Sequence, residues 1–283
     1  MGFLRIDENE NSIETTAGIL EEQRKKIFKP TNEVCEIHEA TKVQAGEMEP
    51  FCPVCAHQTT RKSEEELIAE ETKRAYNKDK RWLKEASILI DKTMFSMTFE
   101  NFEEMDEETA ANKEKALNIA RRLYKGSTSN ELLSGRFGTG KTHLAMAILN
   151  QLNEHQNKKH LFISIDELLL RIKASYGGGG AGITEEQALH LISKADVVVI
   201  DDLGAEVGSA DKQTYASDNT IRIINSILNA RISKPTIFTT NLTGKELTAT
   251  YGGRIKSRIF RGVEKEGIVQ FKTTTDKRSN IDI

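Results

Sequence analysis

Residues Gly135-Arg136-Phe137-Gly138-Thr139-Gly140-Lys141-Thr142 satisfy the pattern G-x-x-x-x-G-K-[ST] at every position. A chain carrying this run is expected to place a strand before it and a helix after it. Its glycines let the backbone turn so that several N–H groups point inward at phosphate oxygens. The helix after the turn adds the positive end of its dipole. In this reading Lys141 reaches the β- and γ-phosphates of a bound nucleotide, and Thr142 supplies a hydroxyl to Mg²⁺. His143 completes the candidate nucleotide-binding stretch, residues 135–143.

The context fits. Residues 131–135 read as a strand, and Leu144, Ala147, Ile148 and Leu152 recur at helical spacing after the glycine turn. Further strands are expected at 161–165, 197–200, 236–240 and 268–271, and helices at 166–175, from 184, and at 219–232. Thr184 and Gln187 stand at capping-box spacing. The glycine run at 177–182 reads as a loop. Alternating strand and helix predicts an α/β fold: a parallel sheet with helices on both faces.

A second element supports the phosphate site. Val197-Val198-Val199-Ile200-Asp201-Asp202 is a buried apolar strand ending in two carboxylates. A parallel sheet delivers such a strand's C-terminal end beside the phosphate loop. Asp201 is expected to hold Mg²⁺ with Thr142, and Asp202 to orient or activate the attacking water. Thr239-Thr240-Asn241 closes the next strand, where a polar side chain can reach the γ-phosphate or that water.

All three cysteines fall early in the chain. Cys35-Glu36-Ile37-His38 is C-x₂-H and Cys52-Pro53-Val54-Cys55 is C-x₂-C. Two such knuckles can close a four-ligand Zn²⁺ site with no open catalytic position. In a segment this short the metal would substitute for a core. His57 lies near enough to compete with His38 for the fourth place. Residues 62–92 are charge-dense, with Glu70 and Arg74 at helical spacing and only a partial apolar stripe of Leu67, Ala75, Trp82, Leu83 and Ala86; they read as a solvated linker helix. The expected organisation is a zinc-binding module at 1–60, a helical linker at 61–94 and a nucleotide-binding domain at 95–283.

Lys and Arg total 40 against 43 Asp and Glu, a net charge of −3, which excludes a wholly basic nucleic-acid-coating protein. Any nucleic-acid contact must be a local patch, such as Lys245, Arg254, Lys256, Arg258, Arg261 and Lys265; no aromatic ladder accompanies it. No run of 18 uncharged apolar residues exists, and the acidic start lacks the form of a signal peptide. A cytoplasmic location is expected, without membrane association.

Taken in order, Thr98-Phe99-Glu100-Asn101-Phe102, GRFGTGKTHLAMAI, VVVIDDLGAE, TIFTTNLTGKEL and YGGRIKSRIF resemble the AAA+ ATPases, and within them the DnaC/DnaI/IstB-like replicative helicase loaders. The likeness covers residues 95–283. The cysteine-bearing segment before it is similar to that of DnaI-type loaders, including phage-encoded ones. The resemblance implies an ATP-dependent loader that grips a replicative helicase hexamer through its zinc module and contacts single-stranded DNA. It makes Asn241 sensor 1, Arg258 an arginine finger acting on a neighbouring subunit's ATP, and Arg254 its companion, so a homo-oligomer is implied. The catalytic set is then Lys141, Asp202, Asn241, Arg258 and Arg254. Two departures stand out. AAA+ proteins usually carry Glu where this chain has Asp202, which implies slow ATP hydrolysis. Little chain follows Phe271, so the helical lid is expected to be reduced or absent, with Arg278 as the candidate for a second sensor. An IstB-like transposition helper is the alternative reading, disfavoured by the cysteine module; a helicase-binding inhibitor with little turnover is another.

Overall fold

The computed structural model describes residue 23 and residues 26–176, 182–207 and 216–276. Most of the expected glycine loop, 177–181, and Arg278 lie outside the described residues. The chain divides into two compact units between Arg74 and Ala75.

In the first unit, β1 (Phe28–Val34) pairs antiparallel with β2 (Thr41–Ala45), Phe28 opposite Ala45 and Val34 opposite Thr41. The connecting turn closes on itself, with Glu39 N–H to Cys35 C=O and Cys35 N–H to Ala40 C=O, both at 2.9 Å. Helix α1 (Pro53–Ala86) begins at the proline between Cys52 and Cys55. Proline suits that first position, where its missing N–H would have no partner in any case.

Most of α1 is the solvated helix expected, studded with i,i+4 pairs such as Arg61–Glu65 and Arg74–Glu70. Its last turns are not. Leu83 is only 1% exposed and belongs to the core of the second unit, and Trp82 and Ala86 pack against that unit's other apolar cluster. The linker reading is corrected there, because the surrounding charges conceal a local apolar face. Ile88 then bridges in parallel to Ile163, and Leu89 and Met94 enter the core. The second unit thus draws on residues ahead of the expected start at 95.

That unit is a five-stranded parallel sheet in the order β4-β5-β6-β3-β7, built from β3 (Glu131–Gly135), β4 (His160–Ser164), β5 (Val197–Leu203), β6 (Thr236–Thr240) and β7 (Ile268–Phe271). Alternate residues point to opposite faces. Leu133, Phe162, Val199, Ile237 and Val269 meet α2 (Glu107–Tyr124) and α3 (Lys141–His155) in one core. Leu132, Leu161, Ile163, Val198, Ile200 and Phe238 meet α4 (Ile165–Ser175), α5 (Glu185–Lys194), α6 (Asp218–Ala230), α7 (Gly244–Tyr251) and α8 (Gly253–Ile259) in the other. The expected parallel sheet with helices on both faces is therefore present. The Thr184/Gln187 capping box is present too. Because β6 lies between β5 and β3, the C-terminal ends of these three strands stand side by side. They bring Gly135, Asp201 and Asp202, and Thr240 to one edge. Among the described residues, no helix is long and apolar enough to cross a membrane.

Candidate nucleotide site and metal cluster

The phosphate loop leaves β3 and enters α3 at Gly140, whose φ of 100° is a left-handed backbone. A side chain there would be strained and would also meet the Phe102 ring, its Cβ 2.7 Å from Cε2. No side chain caps α3. The amides of its first turn therefore face outward as an anion site. Lys141 is buried and donates from Nζ to the Arg136 carbonyl at 2.6 Å, folded over its own loop. Thr139 Oγ1 also donates to Arg136 C=O, at 3.0 Å. Arg136 and Phe137 are exposed at the tip.

Opposite the loop stands Asp201. Thr142 Oγ1 donates to its carboxylate at 3.1 and 3.2 Å, and Thr239 Oγ1 donates at 2.6 Å. Burial pushes the Asp201 carboxyl up to about 6, against the downward pull of the Thr239 and Thr142 hydroxyls. The residues expected to share a divalent cation are thus in contact. A buried carboxylate beside a hydroxyl is a hard-oxygen donor set suited to Mg²⁺.

Asp202 is set differently. The β5–β6 register shifts between Ile200 and Leu203, and Asp202 takes a left-handed backbone, φ 57°. Its N–H donates to Thr239 Oγ1 at 2.8 Å, and its Oδ1 accepts from Asn241 Nδ2 at 2.6 Å. Asn241 Oδ1 is buried with no partner. Such an orphan acceptor calls for a donor that arrives with a ligand or water. Asn241 itself lines a pocket of about 220 Å³, with Phe137, Gly138, Lys141, Thr142 and Asp202 among the other lining residues. These features fit a nucleotide with its cation. His143 lines the same pocket, but its Nε2 bonds the Thr98 carbonyl at 2.8 Å and its ring stands edge-on to Phe102. These two contacts tie α3 to the segment leading into the domain.

Arg254 and Arg258 share α8, whose Ile255 and Ile259 are buried. Arg254 is exposed, Arg258 donates to Asn225 Oδ1, and neither lines the pocket. Among the cations grouped from the sequence, Arg261 is turned inward, its Nη2 donating to Thr128 C=O, Lys234 C=O and Asn130 Oδ1. Two site neighbours went unassigned in the sequence. Thr239 braces both Asp201 and the Asp202 amide. Glu206 accepts from Gly204 N–H at 3.0 Å and from the Tyr251 hydroxyl, joining the end of β5 to the helix that precedes α8. Burial raises the Glu206 carboxyl.

In the first unit Cys35, His38, Cys52 and Cys55 converge, their ligand atoms all within 4.8 Å of one another. Cys35 Sγ lies 3.7 Å from Cys55 Sγ, and His38 Nδ1 lies 3.8, 3.9 and 3.3 Å from the sulfurs of Cys35, Cys52 and Cys55. A zinc tetrahedron with bonds of about 2.0–2.3 Å has edges of about 3.5–3.8 Å. The cluster therefore fits zinc, and it includes His38 rather than His57. Hydrogen bonds from the backbone of His38 and Ile37 hold the Cys35 thiol down at about 6, while burial pushes Cys55 up to about 11.

Residues 56–257 match the family model described as IstB-like ATP binding protein. The chain belongs to that family. Its curated relatives include the replicative helicase loader DnaC of Escherichia coli (strain K12), 33% identical over 152 residues, 52% of this chain and 58% of the relative. The DnaC loader of Buchnera aphidicola subsp. Schizaphis graminum is 32% identical over 153 residues, 52% and 58% of the two chains. The chain thus spans under two thirds of the length of these relatives. Among solved structures, the DnaC helicase loader superposes with a TM-score of 0.51 at 22% identity, covering 64% of this chain and all of that one. DnaI gives 0.51 at 23% identity, covering 66% and 96%. These likenesses identify the AAA+ fold. The family match spans the phosphate loop, Asp201, Asn241 and Arg254. All four cluster residues precede it, and Arg258 follows its end.

Proposed function

We propose that this IstB-family protein is an ATP-switched loader of a replicative DNA helicase. One observation carries the reading. In a chain homologous to DnaC, the loop threonine Thr142 and the strand-end Asp201 are already hydrogen-bonded across the mouth of an uncapped helix. Bound Mg²⁺ would neutralise phosphate charge there. Thr142 and Asp201 would hold it, Lys141 would leave the Arg136 carbonyl for the phosphates, and the 135–143 stretch would supply amides. Asp202, oriented by Asn241, would position the attacking water as the hydrolytic acid–base group. One methylene shorter than Glu, it makes hydrolysis slow.

Arg258, with Arg254 beside it, acts on the nucleotide of an adjacent copy, and ATP thereby stabilises a homo-oligomer. The cysteine cluster binds zinc and shapes a helicase-gripping module at 1–60, followed by the exposed stretch of α1 that leads to the ATPase domain. Val34, Ile37, Met48 and Val54, all exposed apolar side chains near the ligands, support a protein-binding role. Single-stranded DNA meets Lys245, Arg254 and Lys256. The alternative is a transposition helper acting on duplex DNA, compatible with the IstB-like family match and disfavoured by the cysteine cluster ahead of it.

The test is capture of the host's replicative helicase by the full chain with zinc and ATP. Loading predicts retention, lost when Cys52→Ser opens the cluster. No retention, with tight duplex binding instead, would favour the transposition reading. For the ATPase, Lys141→Ala should weaken nucleotide binding at least about thirtyfold, the scale of removing a buried charge partner. Unchanged affinity by equilibrium titration would refute the phosphate site.

A further inference from the structure

Beyond β7 the chain is held by the first turn of α2. Glu108 Oε1 accepts the Lys272 N–H at 2.8 Å. Its Oε2 accepts the Thr273 N–H at 3.0 Å, the Thr274 N–H at 2.8 Å and the Thr274 hydroxyl at 2.6 Å. Three successive amides closed on one carboxylate form a compact anion nest. Burial pushes the Glu108 carboxyl up, but these donors together outweigh it and hold the group down at about 2. One turn along α2, Asn112 Nδ2 donates to the Gln270 carbonyl at 3.0 Å, so the same helix grips the strand and the segment after it.

Asp276 follows two residues after this gripped segment. Asp276 lies on the phosphate loop at Gly138, whose φ is 70°. A Cβ added at Gly138 would overlap Oδ1 and Cγ of the Asp276 side chain. A carboxylate therefore rests directly on the backbone of a loop built to receive anions.

We propose that residues 272–276 form a strap, latched by Glu108, which seats Asp276 on the phosphate loop as an internal anion that the nucleotide must displace. The proposal rests on the reading of this loop as a nucleotide site. Asp276 is half-buried against Gly138, which lines the pocket, so the seated carboxylate and arriving phosphates carry the same sign at close range, and their repulsion there is stronger than in open water. Both cannot occupy the rim of Gly138 together. Latch strength therefore sets nucleotide affinity. Glu108 acts as a positioning residue, holding the strap without lining the pocket.

The sign of the effect separates this from structural damage, since loosening the strap improves binding. In the full-length chain, Asp276→Asn and Glu108→Gln should each tighten a fluorescent ATP analogue with Mg²⁺ by about two- to fivefold, the range of a partly screened charge contact. Without nucleotide, Glu108→Gln should also speed amide hydrogen exchange at 272–274, and Asp276→Asn should not. Adding ATP to the wild type should speed exchange at the same amides. Equal or weaker affinity in Asp276→Asn, with wild-type binding intact, would overturn the strap alone. Absence of binding in wild type and Asp276→Asn alike, with the 272–274 amides still protected, would overturn the nucleotide reading and the strap with it.

Discussion

The two units are held together by different means. Among residues 26–74 only Cys35 and Cys52 are buried, and Phe28 and Phe51 meet edge to face with centroids 6.0 Å apart. The second unit sandwiches its sheet between two apolar clusters, with Phe162, Leu133, Leu144 and Ile163 fully inaccessible. A segment that buries so little apolar surface cannot offset its chain entropy by burial alone. Three cysteines and one histidine converge there, and zinc held between them, as proposed, would supply the missing constraint. On that reading the cysteine unit should be only as stable as its metal-bound state, and the sheet unit indifferent to the metal.

The sharpest test is metal removal. Chelation, or Cys52→Ser, should unfold the cysteine unit outright, since structural zinc contributes on the order of 10–16 kcal/mol. The sheet unit should melt unchanged in the same calorimetric trace; a single cooperative loss of both would break the comparison. Next in size, Leu83→Ala should destabilise the sheet unit by about 2–5 kcal/mol, and Leu67→Ala on the exposed stretch of the same helix should stay within about 0.5 kcal/mol. Denaturant titration of both variants decides whether α1 changes role along its length.

Titration gives a smaller effect. Burial raises Asp201 to about 6, so its carboxyl is protonated more readily folded than unfolded. The nucleotide-free sheet unit should thus lose stability as pH rises from the ordinary carboxylate range to about 6. Cation binding needs the ionised form, so Mg²⁺-dependent nucleotide affinity should rise over that window and fall about tenfold from pH 7 to pH 5. Isothermal titration at both pH values measures this, and a flat profile would remove Asp201 from the cation site. Smallest of all, Arg61→Ala, which breaks an exposed pair with Glu65, should cost about 0.3–0.5 kcal/mol.

Legibility in the sequence depends on where information is stored along the chain. The phosphate loop is contiguous, and Asp201 ends an unmistakable apolar run, so both could be placed without coordinates. The cysteine spacings marked four ligands but left His38 and His57 open, because the choice depends on how the β1–β2 turn aims Nδ1. Thr239 meets Asp201 only through the β5–β6 register, and the Glu108 latch joins residues far apart in sequence. Neither pairing leaves a local trace. Leu83 was hidden by its charged surroundings, as composition averages over a helix whose environment changes within two turns.

The backbone at Asp202 couples two properties that are usually discussed apart. Positive φ is tolerated by aspartate and asparagine because a short polar side chain can bond locally, and it is costly for longer or branched residues. Lengthening this side chain to gain reach toward water would therefore work against the bend that aims it. On the proposed reading of Asp202, the tempo of hydrolysis would be tied to the register shift at the end of β5, and a faster variant would have to reshape the strand end before it exchanged the acid.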